Sequence, residues 1–427
     1  MNKKQVIVLI AYIILLFFIV IHLWDYYYFD IYTADYVLSY FVMVFFILHY
    51  FFKNGVLSLE SLFNIFGLLY SNYHISQLVS LNQQIPPTIG FAMILSHLSI
   101  VVFNFSFLIF RSKKKQTIYE HSPQYDLHTQ NVLLTILLLI CLATEFYVIF
   151  QKIGIVAYFA AERGGKSLLM AEYSRLTFYK FAIPLVSVAS LYNFFSERNR
   201  YSLFLFVIAF TVSLFNSILS ASRAEMLSLF LPVLFLLKYF NKIKERTVIV
   251  IGGLAVVLFG AWKSLFWGEF DVSFDSEFNT WYEICDRVLK IPNRELLYGQ
   301  SYLTTLYNLI IPFTDSNTLS TWYLENYEWE VMVRGGGRGF SAVLEAYMNF
   351  DIFGIFLVYG FYGWLISKLN TRTTFDTLVY LIVMISLFQF FRSESYSLWK
   401  NMMWFKIYPL AVIYFVSRRF RMTNHKS

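Results

Sequence analysis

The chain has 427 residues, of which 58% are hydrophobic and only 14% charged, and its mean hydropathy of +0.56 excludes water as its main solvent. The net charge of +7 does not point to nucleic acid, because in a chain this apolar the meaning of each charge depends on the face of the bilayer it occupies. Two cysteines, Cys141 and Cys285, support no disulfide framework.

Lipid offers no partner to a backbone N–H or C=O, so each apolar run of ~20 residues is read as a helix. In chain order the predicted spans are 6–24, 36–52, 61–81, 88–110, 132–150, 176–195, 201–219, 224–240, 248–267, 353–369, 375–391 and 402–416. The first follows Lys3 and Lys4 but has no small-residue cleavage pattern after it, which marks a retained helix rather than a signal peptide. The fold class expected is therefore all-α: a polytopic bundle of about 12 transmembrane helices in one membrane domain, residues 1–427.

A cytoplasmic N-terminus places Lys53, Arg111 with Lys113 to Lys115, Arg198 with Arg200, Lys238 to Arg246, Lys368 with Arg372, and Arg418 to Arg421 on one side. This is the basic bias of cytoplasmic loops, and it puts both termini inside. Two outer loops, 151–175 and 268–352, are then too long to be turns. Within the second, Phe274, Phe278, Trp281, Cys285 and Leu289 recur at helical spacing, as on an amphipathic helix, and 301–311 forms another that stops at Pro312.

The span at 61–81 is polar for its depth, with Asn64, Ser71, Asn72, His74 and Gln77. These side chains line a cavity or join helices by hydrogen bonds, and the second reading is preferred. Lys406 lies within a span by sequence position, from which its ammonium would snorkel outward. No histidine falls in the outer loops and no spacing resembles a zinc site, so neither a metal nor a cofactor is expected.

Arginines that the cytoplasmic bias does not explain gather on the outer side: Arg163, Arg175, Arg223, Arg287, Arg294, Arg334, Arg338 and Arg392. A guanidinium presents a rigid fork of donors that suits a lipid diphosphate. Ordinary surface pairing with acidic neighbours is the competing reading for each of them. Arg223, in Ser220-Ala221-Ser222-Arg223-Ala224-Glu225, sits in a short turn near hydrocarbon depth, where a charge needs a partner or a polar cavity. Arg334-Gly335-Gly336-Gly337-Arg338-Gly339 can turn backbone amides toward an anion, and a helix starting near Ser341 would aim its positive end at the same place. Glu345 and Asn349, four apart, share a face of that helix, and Glu345 is the candidate general base.

The Ser222-Arg223 turn, the late outer loop and the stretch Gly335-Gly336-Gly337-Arg338-Gly339 to Glu345-Ala-Tyr-Met-Asn349-Phe-Asp351-Ile-Phe-Gly354 together resemble the bacterial O-antigen and capsule oligosaccharide repeat-unit polymerases of the Wzy type. Asp351 stands where an Asn-Phe-Gly form would have glycine. The resemblance implies metal-independent glycosyl transfer at the outer face of the bacterial cytoplasmic membrane. Donor and acceptor are both undecaprenyl-diphosphate-linked oligosaccharides, and the lipid bilayer, a chain-length regulator and a flippase are the further partners it implies. Arg223, Arg334 and Arg338 would then hold a diphosphate, Glu345 would take the acceptor proton, and Arg163, Arg175, Arg392 and Asn349 would bind the remaining substrate. An O-antigen ligase and a flippase for the same lipids stay open as alternatives; charge gathered in one long loop rather than at mid-membrane disfavours transport.

Overall fold

The computed structural model describes residues 55–81, 85–111, 125–160, 181–219, 223–252, 275–291, 295–311, 318–333 and 339–424, with a few isolated positions besides. The predicted spans at 6–24 and 36–52, and most of 248–267, lie outside the described residues. Among the described residues every regular element is a helix.

The long helices before residue 240 are α1 (Leu59–Ser80), α2 (Pro87–Phe110), α3 (Leu127–Tyr147), α4 (Ile183–Glu197), α5 (Arg200–Leu219) and α6 (Arg223–Tyr239). They fall on the apolar runs read from the sequence, with ends set by local chemistry. Pro87 opens α2, where its missing amide costs nothing. Asp126 caps α3 by accepting from the Thr129 amide at 2.9 Å, which starts the helix before the expected 132. The later elements are α7 (Asp275–Leu289), α8 (Gln300–Ile310), α9 (Leu319–Tyr327), α10 (Ala342–Lys368), α11 (Thr374–Ser386), α12 (Ser395–Met402) and α13 (Tyr408–Asn424). Helix stretches Pro87–Phe110, Leu127–Ile153, Arg200–Ser217 and Ala342–Lys368 are long and apolar enough to cross a bilayer. The chain is a multi-pass membrane protein.

Helix α2 is the hub. It carries no Asp, Glu, Lys or Arg and is buried along most of its length, packed between α1 and α10, as a helix without a charged face must be. By contrast α3 and α5 expose Ile136, Leu139, Phe146, Phe204, Val207 and Phe215, a display of apolar surface suited to lipid. The polar side chains of α1 serve as helix joints: Asn64 and Asn104 exchange amide hydrogen bonds at 2.6 and 3.0 Å, and Asn72 Oδ1 meets His97 Nε2 at 3.1 Å.

Three predicted spans differ in outline. The run at 375–391 stops at Ser386 and resumes as a single turn, Gln389–Arg392, and 402–416 lies within a continuous helical stretch that starts at Ser395 and widens to a π turn at Met403–Ile407 between α12 and α13. Pro409 lacks the amide that would close a regular turn there. Helix α10 begins at Ala342 rather than 353 and is broken at Phe350–Asp351, where Asp351 has φ 56° and ψ −150°. The expected span at 353–369 corresponds to its second half. The break is sharp enough that a Cβ on Gly354 would lie 1.9 Å from the Ala346 carbonyl oxygen.

The two ends of the bundle are distinct. At the C-terminal end of α2, Lys368 donates to the Phe110 carbonyl at 3.5 Å and the Arg111 guanidinium lies over the Phe107 ring. In the same basic set, Lys238 pairs with Glu245, which accepts from the Val56 amide. At the N-terminal end of α2, Thr88 bonds Asp286 of α7 and Phe91 packs on Tyr347 of α10 with ring centroids 5.4 Å apart. Helix α7 buries Trp281, Ile284, Cys285 and Val288 and exposes Glu283 and Arg287. At 1.5 Å per residue the length of α2 separates these ends by roughly 36 Å.

Candidate functional site

At the N-terminal end of α2 the chain assembles a buried polar network on the first half of α10. Ser341 caps that helix by accepting from the Leu344 amide at 3.1 Å, which places Glu345 on its first turn and Asn349 one turn later. Glu345 is 1% exposed. Its Oε1 accepts from the hydroxyls of Ser301 and Ser395, both at 2.7 Å, and its Oε2 accepts from the Ser395 amide at 2.6 Å. Asn349 Nδ2 donates to Ser301 Oγ and to the Glu345 carbonyl, each at 2.8 Å. Thr305 Oγ1 extends the chain of hydroxyls, 3.0 Å from Ser395 Oγ.

Helix α8 supplies Ser301 and Thr305 through an inverted polarity. Its buried positions include Thr305 and Asn308, while Leu303, Leu306, Tyr307 and Ile310 are exposed. A helix that turns its hydroxyls inward and its aliphatic side chains outward belongs between a polar site and lipid. Helix α12 supplies Ser395, whose neighbour Glu394 is also buried. Glu394 Oε2 accepts from the Ser320 amide in the first turn of α9 at 3.2 Å. Burial pushes the Glu394 carboxyl above the usual carboxylate range, against the Ser320 hydrogen bond that pulls it down.

The glycine segment ends against Arg392. A Cβ on Gly339 would stand 2.7 Å from the Arg392 carbonyl oxygen and 3.1 Å from its Cγ, so glycine here permits a close pass of two strands of backbone. Below this contact the Gln389–Arg392 turn is held by aromatic packing. The Tyr359 hydroxyl donates to the Phe390 carbonyl at 3.2 Å, and Phe390 meets Tyr362 edge-on at 4.7 Å. The Arg392 guanidinium lies 5.6 Å from the Phe388 ring centroid.

The structure thus brings Glu345, Asn349 and Arg392, together with the end of the glycine segment, to one end of the bundle. Arg163, Arg175, Arg334, Arg338 and the side chain of Arg223, whose backbone opens α6, lie outside the described residues. Arg287 takes the ordinary pairing, 3.2 Å from Glu328. The described partners of Glu345 are two hydroxyls and an amide rather than the arginines expected around it. Ser301, Thr305, Ser395 and Glu394 did not stand out in the sequence. Ser301, Thr305 and Asn308 recur on one face of a segment whose Leu303, Leu306, Tyr307 and Ile310 lie on another, and that stripe was the available signal.

Chemically, a carboxylate gripped by three donors is fixed in orientation, and its hydrogen-bonded hydroxyls form a path along which a proton can pass. Such a group suits removal of a proton from an incoming hydroxyl, and the burial that surrounds it keeps competing water away. The comparison with curated proteins and that with solved structures each give no match. Residues 278–424 match the family model of the O-antigen polysaccharide polymerase Wzy. The matched segment holds Glu345, Asn349, Arg392 and Glu394, and over it the chain is similar to the O-antigen polysaccharide polymerases, the family that the residues from Gly335 to Gly354 resemble.

Proposed function

We propose that the protein joins undecaprenyl-diphosphate-linked oligosaccharide repeat units into a polysaccharide at the outer face of the bacterial cytoplasmic membrane. The observation that carries this reading is the buried, triply hydrogen-bonded Glu345 carboxylate at the bundle end opposite the basic cluster, within the segment that matches the polymerase family. The basic end is cytoplasmic under the positive-inside tendency, which leaves the Glu345 end outside.

In this reaction a hydroxyl of the acceptor unit attacks the anomeric carbon of the growing chain. The bond from that carbon to the diphosphate oxygen breaks, and undecaprenyl diphosphate leaves with the electron pair. Glu345, oriented by the Ser301 and Ser395 hydroxyls, takes the acceptor proton and releases it to water once the product leaves. Arg223, Arg334, Arg338 and Arg392 hold the diphosphate and stabilise the charge that develops on it, with Arg163 and Arg175 assigned to the second lipid diphosphate or to the glycan. The family match favours polymerisation over ligation or flipping of the same lipids. The test is the glycan ladder of cells carrying single variants. Arg338→Ala or Arg223→Ala leaves single lipid-linked units, and Arg223→Lys fails as well, since a point charge does not replace a forked donor. Normal ladders in both alanine variants overturn the assignment.

A further inference from the structure

Three buried polar atoms beside Glu345 have no hydrogen-bond partner among the described residues: Asn349 Oδ1, Glu394 Oε1 and the Tyr302 hydroxyl. Asn349 is 0% and Glu394 2% exposed, so bulk water does not serve them. In Asn349 and Glu394 the opposite atom is engaged: Asn349 Nδ2 binds Ser301 Oγ and Glu394 Oε2 binds the Ser320 amide. Those bonds fix the side chains and hold the free oxygens in place. As a helix cap Glu394 needs only one oxygen, and as a joint between α10 and α8 Asn349 needs only its nitrogen. The Tyr302 ring is set nearly parallel to Phe350 at 6.4 Å, and its hydroxyl lies within the electrostatic reach of Glu345.

Buried polar atoms left unpaired destabilise the protein that carries them, and three in one neighbourhood mark a place where a ligand supplies the missing partners. The chemistry of the set selects that ligand. An amide carbonyl accepts, and a phenol and a carboxyl both accept and donate, which matches sugar hydroxyls and amide N–H groups. A diphosphate brings only acceptors and negative charge, and would meet the Asn349 carbonyl and two carboxyl groups.

We propose that Glu394, Asn349 and Tyr302 form a sugar-hydroxyl subsite that orients the acceptor sugar ring beside Glu345, while the diphosphate stays on the arginine side. This rests on the polymerase reading for the identity of the ligand but not for its measurement. The full-length protein in lipid nanodiscs is titrated by calorimetry with two probes. One is the repeat-unit oligosaccharide freed from its carrier by mild acid, and the other is undecaprenyl diphosphate. Glu394→Gln keeps an oxygen for the Ser320 amide, and Tyr302→Phe keeps the ring on Phe350. Each weakens the oligosaccharide about tenfold and leaves undecaprenyl diphosphate binding unchanged. Wild-type oligosaccharide affinity in both variants, equal weakening of both probes, or no oligosaccharide binding by the unmodified protein overturns the subsite. Failure of the polymerase reading has a different signature: normal glycan ladders in Arg223→Ala and Arg338→Ala with the binding pattern of the Glu394 and Tyr302 variants intact.

Discussion

The two halves of α10 share one helix by outline and nothing else. Before the break at Phe350–Asp351, every residue from Ala342 to Asn349 is buried, and the Glu345 carboxylate and the Asn349 side-chain nitrogen bond to residues of α8 and α12. After it, Gly354, Ile355, Tyr359 and Tyr362 face the bundle while Phe353, at 63% exposure, with Leu357 and Phe361 faces outward. The first half is a short segment sunk in the protein to carry chemistry. The second is a lipid-facing span that anchors it. A polar helix turn is tolerable at this depth because protein, and not lipid, surrounds it.

The largest effect expected from disturbing this division is on Glu345. Glu345→Gln keeps the shape and the Ser301 and Ser395 contacts yet removes the basic oxygen, so polymerisation falls at least about 100-fold while expression and thermal stability in detergent hold. Chain-length profiles of the variant check this, and unchanged profiles assign Glu345 to structure alone.

Next comes the hinge itself. Gly354→Ala drives a methyl group into the Ala346 carbonyl oxygen 1.9 Å away, a backbone atom that cannot rotate aside, and costs about 3 kcal/mol. Thermal unfolding in detergent measures it. An undisturbed melting temperature would mean that the hinge yields to the added methyl group and that close contact of the two halves does not set the stability.

The same division explains what the sequence revealed. Period and hydropathy located α1 to α6 and the anchoring half of α10, because lipid imposes an apolar surface that a window average detects. Ser341 and Glu345 were legible from capping and spacing. The break was not. It lies at Phe350–Asp351, a pair with neither proline nor glycine, and the only trace was an aspartate where the resemblance leads one to expect glycine. Ser301, Ser395 and Glu394 stayed hidden for another reason: their role arises from α8 and α12 packing side by side, a long-range contact with no local periodicity to announce it.

A smaller effect is expected from the donors. Ser395→Ala removes the hydroxyl from Glu345 Oε1 but leaves the Ser395 amide on Oε2 and the Ser301 hydroxyl in place. One hydrogen bond to a charged group is worth about 1.5–3 kcal/mol, and two of the three remain to orient the carboxylate. Initial rates of chain extension therefore drop about tenfold, without the full loss seen in Glu345→Gln. Equal losses in the two variants would show that Ser395 is the indispensable proton carrier rather than a support.

The smallest and most diagnostic change is at Asp351. Its backbone, at φ 56° and ψ −150°, occupies a region that side chains other than glycine's adopt only at a cost of about 1–3 kcal/mol. The Asp351 carboxylate recovers part of that by accepting from the Ile352 amide at 2.7 Å. Asp351→Gly relieves the strain but gives up this bond and adds backbone freedom to the unfolded chain, each worth about 0.5–1 kcal/mol. The net gain is up to about 1 kcal/mol. Asp351→Val loses the bond and puts a β-branched side chain on a positive-φ backbone, so it costs about 2 kcal/mol. Melting temperatures should therefore rank glycine first, aspartate close behind and valine last, with polymer length following the same order only as far as the hinge sets the position of Glu345. If valine melts with the wild type, Asp351 carries no strain and the two halves of α10 are one continuous helix.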